Sequence, residues 1–142
     1  MPFAQENTRK YYADNRELAE DIAAGYKKFI ADVYAAGCRD LQFDDCSWGM
    51  LVNPLACTLF DTDEKGLKAI KEQLLELNNM AIAGKPDDLV INTHVCRGNF
   101  HSTYASSGAY DGVAQTLLAR ENVGAYYLEF DDARSGGFAP LA

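Results

Sequence analysis

No stretch of this 142-residue chain approaches the roughly 18 consecutive apolar residues of a membrane-spanning helix, and its start, MPFAQENTRKYY, lacks the apolar segment of a secretion signal. The expected compartment is therefore the cytoplasm, with no membrane partner. Positive charge is scarce: 13 Lys and Arg stand against 21 Asp and Glu, giving a net charge of −8 that no basic cluster offsets locally. Such a surface repels a polyphosphate backbone, which argues against a nucleic-acid partner. Paired C-x-x-C spacing is also missing. The four cysteines, Cys38, Cys46, Cys57 and Cys96, read as free thiols or metal ligands in a chain without a secretion signal, not as a disulfide framework. Cys38 opens an apolar run and reads as core. With 48% hydrophobic and 24% charged residues, disorder is not expected, and the length suits one domain.

What is present centres on Leu89 to Phe100, LVINTHVCRGNF, an apolar, β-branched run that ends in two metal-ligand types one residue apart. Side chains two apart on an extended strand share a face, so His94 and Cys96 can converge on one ion while Val95 packs the other way. Imidazole nitrogen and thiolate sulfur are donors that zinc favours. The same residues also fit a plain structural reading, with Cys96 a small buried hydrophobe and His94 a hydrogen-bonded core residue.

Along the chain, helical and strand patterns alternate. Asp14 followed by Glu17 forms a capping-box start, and Leu18, Ile22, Tyr26, Phe29, Ile30 and Val33 then recur at helical spacing until Gly37. CRDLQF alternates as a first strand and runs into Asp44 and Asp45. Residues 46 to 60 have no clean period, and Asn53-Pro54 disfavours an uninterrupted helix, so a loop with at most a short helical turn is expected there. Trp48 within it reads as a packing aromatic more than a ligand-stacking one. A second helix begins near Asp61 or Thr62 and buries Leu67, Ile70, Leu74, Leu77 and Met80 before Gly84 and Lys85-Pro86 stop it. A third spans about Tyr110 to Arg120, burying Val113, Leu117 and Leu118. VGAYYLEF is the third strand, turning acidic at Glu129, Asp131 and Asp132, and the tail SGGFAPLA is too short for another element.

The pattern predicts three parallel strands, near residues 38–44, 89–95 and 124–130, with helices packed on one face. Each strand carries its chemically capable side chains at its C-terminal end, where parallel α/β folds gather their chemistry because the βα loops leave from that edge. The three ends supply Asp44 and Asp45, then His94 and Cys96, then Glu129. Carboxylate, imidazole and thiolate together suit one zinc ion.

Three segments, YAAGCRDLQFDD (34–45), INTHVCRGNF (91–100) and AYYLEFDDARSGGFAPL (125–141), resemble the catalytic region of cobalamin-independent methionine synthase and its shorter bacterial relatives, the 5-methyltetrahydropteroyltriglutamate–homocysteine methyltransferase-like proteins. In weaker form the resemblance covers nearly the whole chain. It implies a (β/α)8 barrel, zinc as cofactor, and homocysteine and methyltetrahydrofolate as substrates. Position by position it implies that His94, Cys96 and Glu129 are metal ligands and that Asp44 binds the amino group of homocysteine. The family's fourth zinc ligand, a cysteine, would lie beyond Ala142, and none of Cys38, Cys46 or Cys57 matches the motif around it.

A complete barrel of this kind needs about 250 residues, so the chain is expected to be a single partial catalytic domain over residues 1–142. It should self-associate or pack with the remaining barrel segments, and have little activity alone. Arg97 reads as a solvated loop residue slightly more than as a contact for an anionic substrate. Two alternatives remain: another zinc-dependent alkyl transfer to a thiol on the same scaffold, such as the epoxyalkane–coenzyme M type, and a non-catalytic fragment that binds metal or assembles. The match of Asp44 to an amino-group anchor disfavours the first, because that thiol carries a sulfonate and no amine.

Overall fold

The computed structural model describes residues 7–130 and 132–142. The chain before Asn7 and Asp131, one of the acids closing the third predicted strand, lie outside the described residues. A mixed α/β fold forms around a three-stranded parallel sheet in the order β1-β2-β3, with β1 at Asp40–Asp44, β2 at Val90–Val95 and β3 at Tyr126–Leu128.

The first helix, α1 (Asn15–Ala35), starts where the sequence signals it. The Asp14 carboxylate accepts the N–H groups of Arg16 and Glu17 at 2.9 Å, and Glu17 reaches back to the N–H of Ala13 at 2.7 Å. These bonds satisfy donors that a helix start leaves free. Gly37, at φ +104°, ends it, with the N–H groups of Gly37 and Cys38 donating to the carbonyls of Tyr34 and Val33 at 2.9 and 3.0 Å. The expected apolar stripe is only half used. Ala23 and Ile30 are buried, but Tyr26 and Phe29 are each 47% exposed. The reason is that α1 packs against one main neighbour, helix α4 (Glu64–Ile82), where Ala19 and Ala23 meet Leu77 and Ala81. Leu18, Ile22 and Tyr26 instead line an open cleft of about 920 Å³ with Phe43, Met50 and Phe60.

Helix α4 begins later than expected, because Asp63 and not Asp61 or Thr62 accepts the capping bond, from the N–H of Gly66 at 2.7 Å. Its Leu67, Leu74 and Leu77 are buried as the period predicts. Residues 46–60 are more ordered than a loop: they form α2 (Cys46–Leu51) and α3 (Ala56–Leu59), with the turn at Asn53-Pro54 closed by the Asn53 amide oxygen, which accepts the N–H of Leu55 at 2.9 Å. Trp48 packs in the core, fully buried with Leu51, Leu74, Val95 and Leu117.

Two expectations need correction. The third helix is a 3-10 turn at Tyr110–Gly112 followed by a wider π-type turn at Ala114–Leu118, because Val113 at φ −127°, ψ −1° interrupts regular winding. Val113 and Leu117 are buried all the same. The tail also makes structure, with 3-10 turns at Ala133–Ser135 and Ala139–Leu141.

Strand register sets the two faces of the sheet. Leu41, Phe43, Ile91, Val95, Tyr126 and Leu128 belong to the helix-packed core clusters, while Asp40, Gln42, Asp44, Val90, Asn92, His94 and Tyr127 alternate onto the other face. No described helix is long and apolar enough to cross a membrane.

One polar bridge lies between the end of β1 and α4. The Asn78 amide donates to Asp45 Oδ2 at 2.8 Å and to Glu121 Oε1 at 2.7 Å, while Glu121 Oε2 is buried without a partner. Burial, reinforced by the nearby Asp45 charge and opposed by the Asn78 bond, pushes the Glu121 carboxyl up to about 7. A carboxyl whose folded pKa lies above its unfolded value binds more protons when folded. Its contribution to stability is therefore greatest below the unfolded value and is lost as pH rises towards 7, at a cost of up to about 3 kcal/mol. Glu121→Gln keeps the acceptor for Asn78 and removes the charge. Urea unfolding at pH 8 should show the variant more stable by about 1–3 kcal/mol, with the gap shrinking towards pH 5; a gap independent of pH would contradict this account.

Candidate metal centre

His94, the penultimate residue of β2, lies between the other two strands, in register with Asp44 of β1 and Tyr127 of β3. Its ring reaches a carboxylate at each nitrogen: Nδ1 lies 3.1 Å from Asp44 Oδ1, and Nε2 lies 3.4 Å from Glu129 Oε1. Cys96, two residues on, accepts the N–H of Gly98 at 3.3 Å. Ligand atoms of Asp44, His94 and Cys96 all lie within 4.8 Å of one another. Zinc bonds of about 2.0–2.3 Å in a tetrahedron place neighbouring donors roughly 3.5 Å apart, so small side-chain shifts would close this group around an ion. Oxygen, nitrogen and sulfur donors suit zinc.

One imidazole cannot offer both nitrogens to the same ion. The group whose donor atoms all lie within 4.8 Å of one another is Asp44, His94 and Cys96, without Glu129; Glu129 reaches the group only through His94 Nε2. Glu129 lies just past the short β3, and its surroundings fix it closely. Its N–H donates to the Tyr110 hydroxyl at 3.1 Å, and its carbonyl accepts the Ser135 hydroxyl. Arg134 holds Oε2 at 3.0 Å, leaving Oε1 for His94 and for the Arg97 N–H at 3.4 Å.

Several of these supporting groups escape sequence reasoning. Arg97 is neither a solvated loop residue nor exposed to a substrate. It is 1% exposed, donating to the Gly108 carbonyl at 2.8 Å and to the Tyr110 hydroxyl at 3.4 Å, with its guanidinium over the Tyr110 ring. Tyr110 and Ser135 are fully buried, yet in sequence they read as a helix start and part of a short tail. Cys46, not singled out in the sequence, also lies near Cys96. Burial and then the neighbouring Cys96 push the Cys46 thiol up to about 11. The one readable hint was its place two residues after Asp44, matching the spacing of His94 and Cys96.

Fold and site together describe a parallel α/β protein with donors for a thiophilic divalent ion gathered at the C-terminal edge of its sheet. No protein-family model matches the chain. It is 43% identical over 142 aligned residues to the uncharacterized protein YxjH of Bacillus subtilis, covering 98% of this chain and 37% of that protein. Identity to the uncharacterized protein YxjG of the same organism is 40%, over 93% of this chain and 35% of that protein. A 5-methyltetrahydropteroyltriglutamate–homocysteine methyltransferase of Corynebacterium glutamicum is 29% identical over 101 residues, covering 71% of this chain and 12% of the enzyme.

Among solved structures, the "Putative Vitamin-B12 Independent Methionine Synthase" of Listeria monocytogenes is similar, with a TM-score of 0.61 and 35% identity over 82% of this chain and 31% of that one. The chain thus spans about a third of the length of the first of these relatives. Its similarity is to segments of these proteins, two of which carry the name of a methionine synthase or homocysteine methyltransferase.

The hydroxyl of Tyr110 serves two buried donors at once, the Glu129 N–H and Arg97 Nε. Tyr110→Phe strands both while keeping the ring under the guanidinium. Unfolding in urea should show a loss of about 1–3 kcal/mol with the far-ultraviolet circular dichroism unchanged; a neutral result would mean that water replaces the hydroxyl.

Proposed function

We propose that this chain carries part of the active site of a zinc-dependent methyltransferase of the cobalamin-independent methionine synthase type. The reaction moves the N5-methyl group of a methyltetrahydrofolate, polyglutamylated or not, to the sulfur of homocysteine, giving methionine and tetrahydrofolate. In this reading the three strands are a segment of a (β/α)8 barrel, working in the cytoplasm. The observation that carries it is the His94 ring set between Asp44 and Glu129 with Cys96 beside it, at the ends of three parallel strands. Similarity to the Corynebacterium methyltransferase and the Listeria structure supports it.

The ligand set we favour is His94 Nε2, Cys96 Sγ and Glu129 Oε1. Asp44 Oδ1 then holds Nδ1 at 3.1 Å, the carboxylate partner that fixes the orientation of a ligating histidine and raises its basicity. The second oxygen of Asp44 remains for the substrate. Its side chain is 59% exposed, and its charge suits the ammonium group of an amino acid, so one carboxylate orients the ring and anchors homocysteine. Arg134 confines Glu129 to a single free oxygen. A free thiol, with a pKa near roughly 8.5, is mostly protonated at neutral pH. Zinc, when bound, supplies the Lewis acidity that removes that proton. The new S–CH3 bond forms as the N5–CH3 bond breaks, and N5 takes up a proton.

Positioning of donor and acceptor can supply roughly 7–11 kcal/mol of such a barrier, and an open three-stranded face gives the folate little to rest on. The purified 142-residue chain should therefore bind close to one zinc under reducing conditions, measured by elemental analysis after dialysis. Methyl transfer from methyltetrahydrofolate to homocysteine should run well below about 1 per second. Cys96→Ser should lose the zinc. Failure of the unmodified, reduced chain to bind zinc at all would sink the proposal, and rapid turnover by it would overturn the division of the site between this chain and further structure.

A further inference from the structure

Arg97 continues the alternation of β2 past its end. Leu89, Ile91, Thr93 and Val95 face the helix layer, each at most 1% exposed, and Arg97 follows them into it at the same burial. A guanidinium keeps its charge at any pH a folded protein meets, yet no carboxylate meets this one among the described residues. Its Nη2 donates to the Gly108 carbonyl and its Nε to the Tyr110 hydroxyl, while Nη1 is buried with no partner. Two further buried groups are without partners, Trp48 Nε1 and the Ser106 hydroxyl, in residues 0% and 2% exposed. The three belong to segments in direct contact. Ser106 donates its N–H to the Arg97 carbonyl at 3.1 Å, and its Oγ lies 3.3 Å from where a Cβ on Gly49, the residue after Trp48, would stand. Trp48 shares a core cluster with Val95 and Tyr110, and the guanidinium lies over that same Tyr110 ring, 4.3 Å from its centroid.

We propose that Arg97 Nη1, Trp48 Nε1 and the Ser106 hydroxyl bind one small monovalent anion, of the size of chloride, in the layer beneath the candidate metal centre. What the three groups share is a proton to give. Nη1–H and Nε1–H can only donate, and the Ser106 hydroxyl can turn its hydrogen the same way. A bridging water brings two protons of its own that need acceptors, whereas an anion takes all three bonds and offsets the charge. Leaving a cation and two polar groups buried without partners costs far more than pairing them. Valence follows from the charge: one guanidinium offsets one negative charge, and sulfate or a phosphate dianion would bury a second one unpaired. Size follows from the burial, since a ligand with a bulky part left in solvent has no path to residues at most 2% exposed. This inference is independent of the zinc reading, although Arg97 also touches that site, its N–H meeting Glu129 Oε1 at 3.4 Å.

Trp48 is the only tryptophan of the chain, so its fluorescence reports on the anion directly. The metal-free, reduced full chain is titrated with bromide, whose heavy atom quenches an indole that it touches, at an ionic strength held constant with gluconate, an anion too large to enter. Quenching should saturate, and chloride should reverse it by competition. Caesium, a cationic quencher of accessible tryptophan, should have little effect on a side chain that is 0% exposed. The melting midpoint followed by circular dichroism should rise by about 4 °C at a chloride concentration tenfold above half-saturation. Ser106→Ala keeps the charge and should weaken halide binding about tenfold; Arg97→Met should abolish it. Chloride-35 line broadening should rank the wild type and the two variants in the same order without using the fluorophore. Circular dichroism checks that each variant folds, and if Arg97→Met does not, Ser106→Ala decides. Quenching that rises linearly with bromide, halide binding that is the same in Ser106→Ala as in the wild type, or a melting midpoint indifferent to chloride would each overturn the proposal. All of these are measured without metal, so none of them bears on the zinc reading.

Discussion

The candidate site depends on the register of the sheet. Asp44, His94 and Tyr127 lie side by side in the parallel ladder, and the two residues that follow His94 and Tyr127 on the same face are Cys96 and Glu129. Side chains alternate strictly along a strand, so a one-residue slip of β2 would turn His94 into the helix-packed layer and bring Val95 onto the open face. What prevents the slip is the opposite face. Ile91, Val95 and Leu89 are at most 1% exposed, and burying each side chain of this size contributes about 1.5–3 kcal/mol. The apolar layer thus aims the ring that the polar layer uses.

Beneath the site lies a second, buried polar layer that holds Glu129 without itself reaching the ion position. Arg97 is a nearly inaccessible cation with no carboxylate on its guanidinium among the described residues; its charge meets the Gly108 carbonyl and the face and hydroxyl of Tyr110. Burying a charge on dipoles and a ring is costly compared with leaving it in water, and Nη1 has no hydrogen-bond partner among the described residues. The arrangement makes sense as a scaffold: the Tyr110 hydroxyl accepts from both Arg97 and the Glu129 backbone, tying the loop after β2 to the end of β3. Ser135 completes the tie from the far side of Glu129. Precision at Glu129 is set by residues that come before and after it in sequence by 5 to 32 positions.

That distance explains what could and could not be read from the sequence. The strands were legible because each is an apolar run ending in an acid or a ligand type, and α1 was legible because Asp14, Glu17 and Gly37 signal locally. His94 and Cys96 stood out for a similar local reason. Arg97 did not, since an arginine after a strand looks solvated until Tyr110 is folded over it. Tyr26 and Phe29 misled for the opposite reason: their helical period is real, but nothing in the described structure covers that part of α1 as fully as its period suggests. Nor does the sequence reveal that α2 seats on the end of β2 through Gly49, a contact between residues far apart in the chain.

The face that bears His94 is open, with Val90 and Tyr127 nearly half exposed on it and β1 and β3 each unpaired along one edge among the described residues. This matters most for the weakest element of the proposed chemistry, the hold of Asp44 on an ammonium group. Two unit charges 4 Å apart attract by about 1 kcal/mol in bulk water and about 4 kcal/mol at the effective dielectric of a protein surface. An Asp44 carboxylate in open solvent therefore orients an amino acid poorly, and the same carboxylate under a covering layer orients it well. His94 and Glu129, each with a side chain 25% exposed, depend less on that cover than Asp44 at 59%. On the proposed function, metal binding and substrate binding should accordingly separate: His94 and Glu129 are sheltered enough to hold an ion on the open sheet, while Asp44 as it stands would hold an ammonium group weakly.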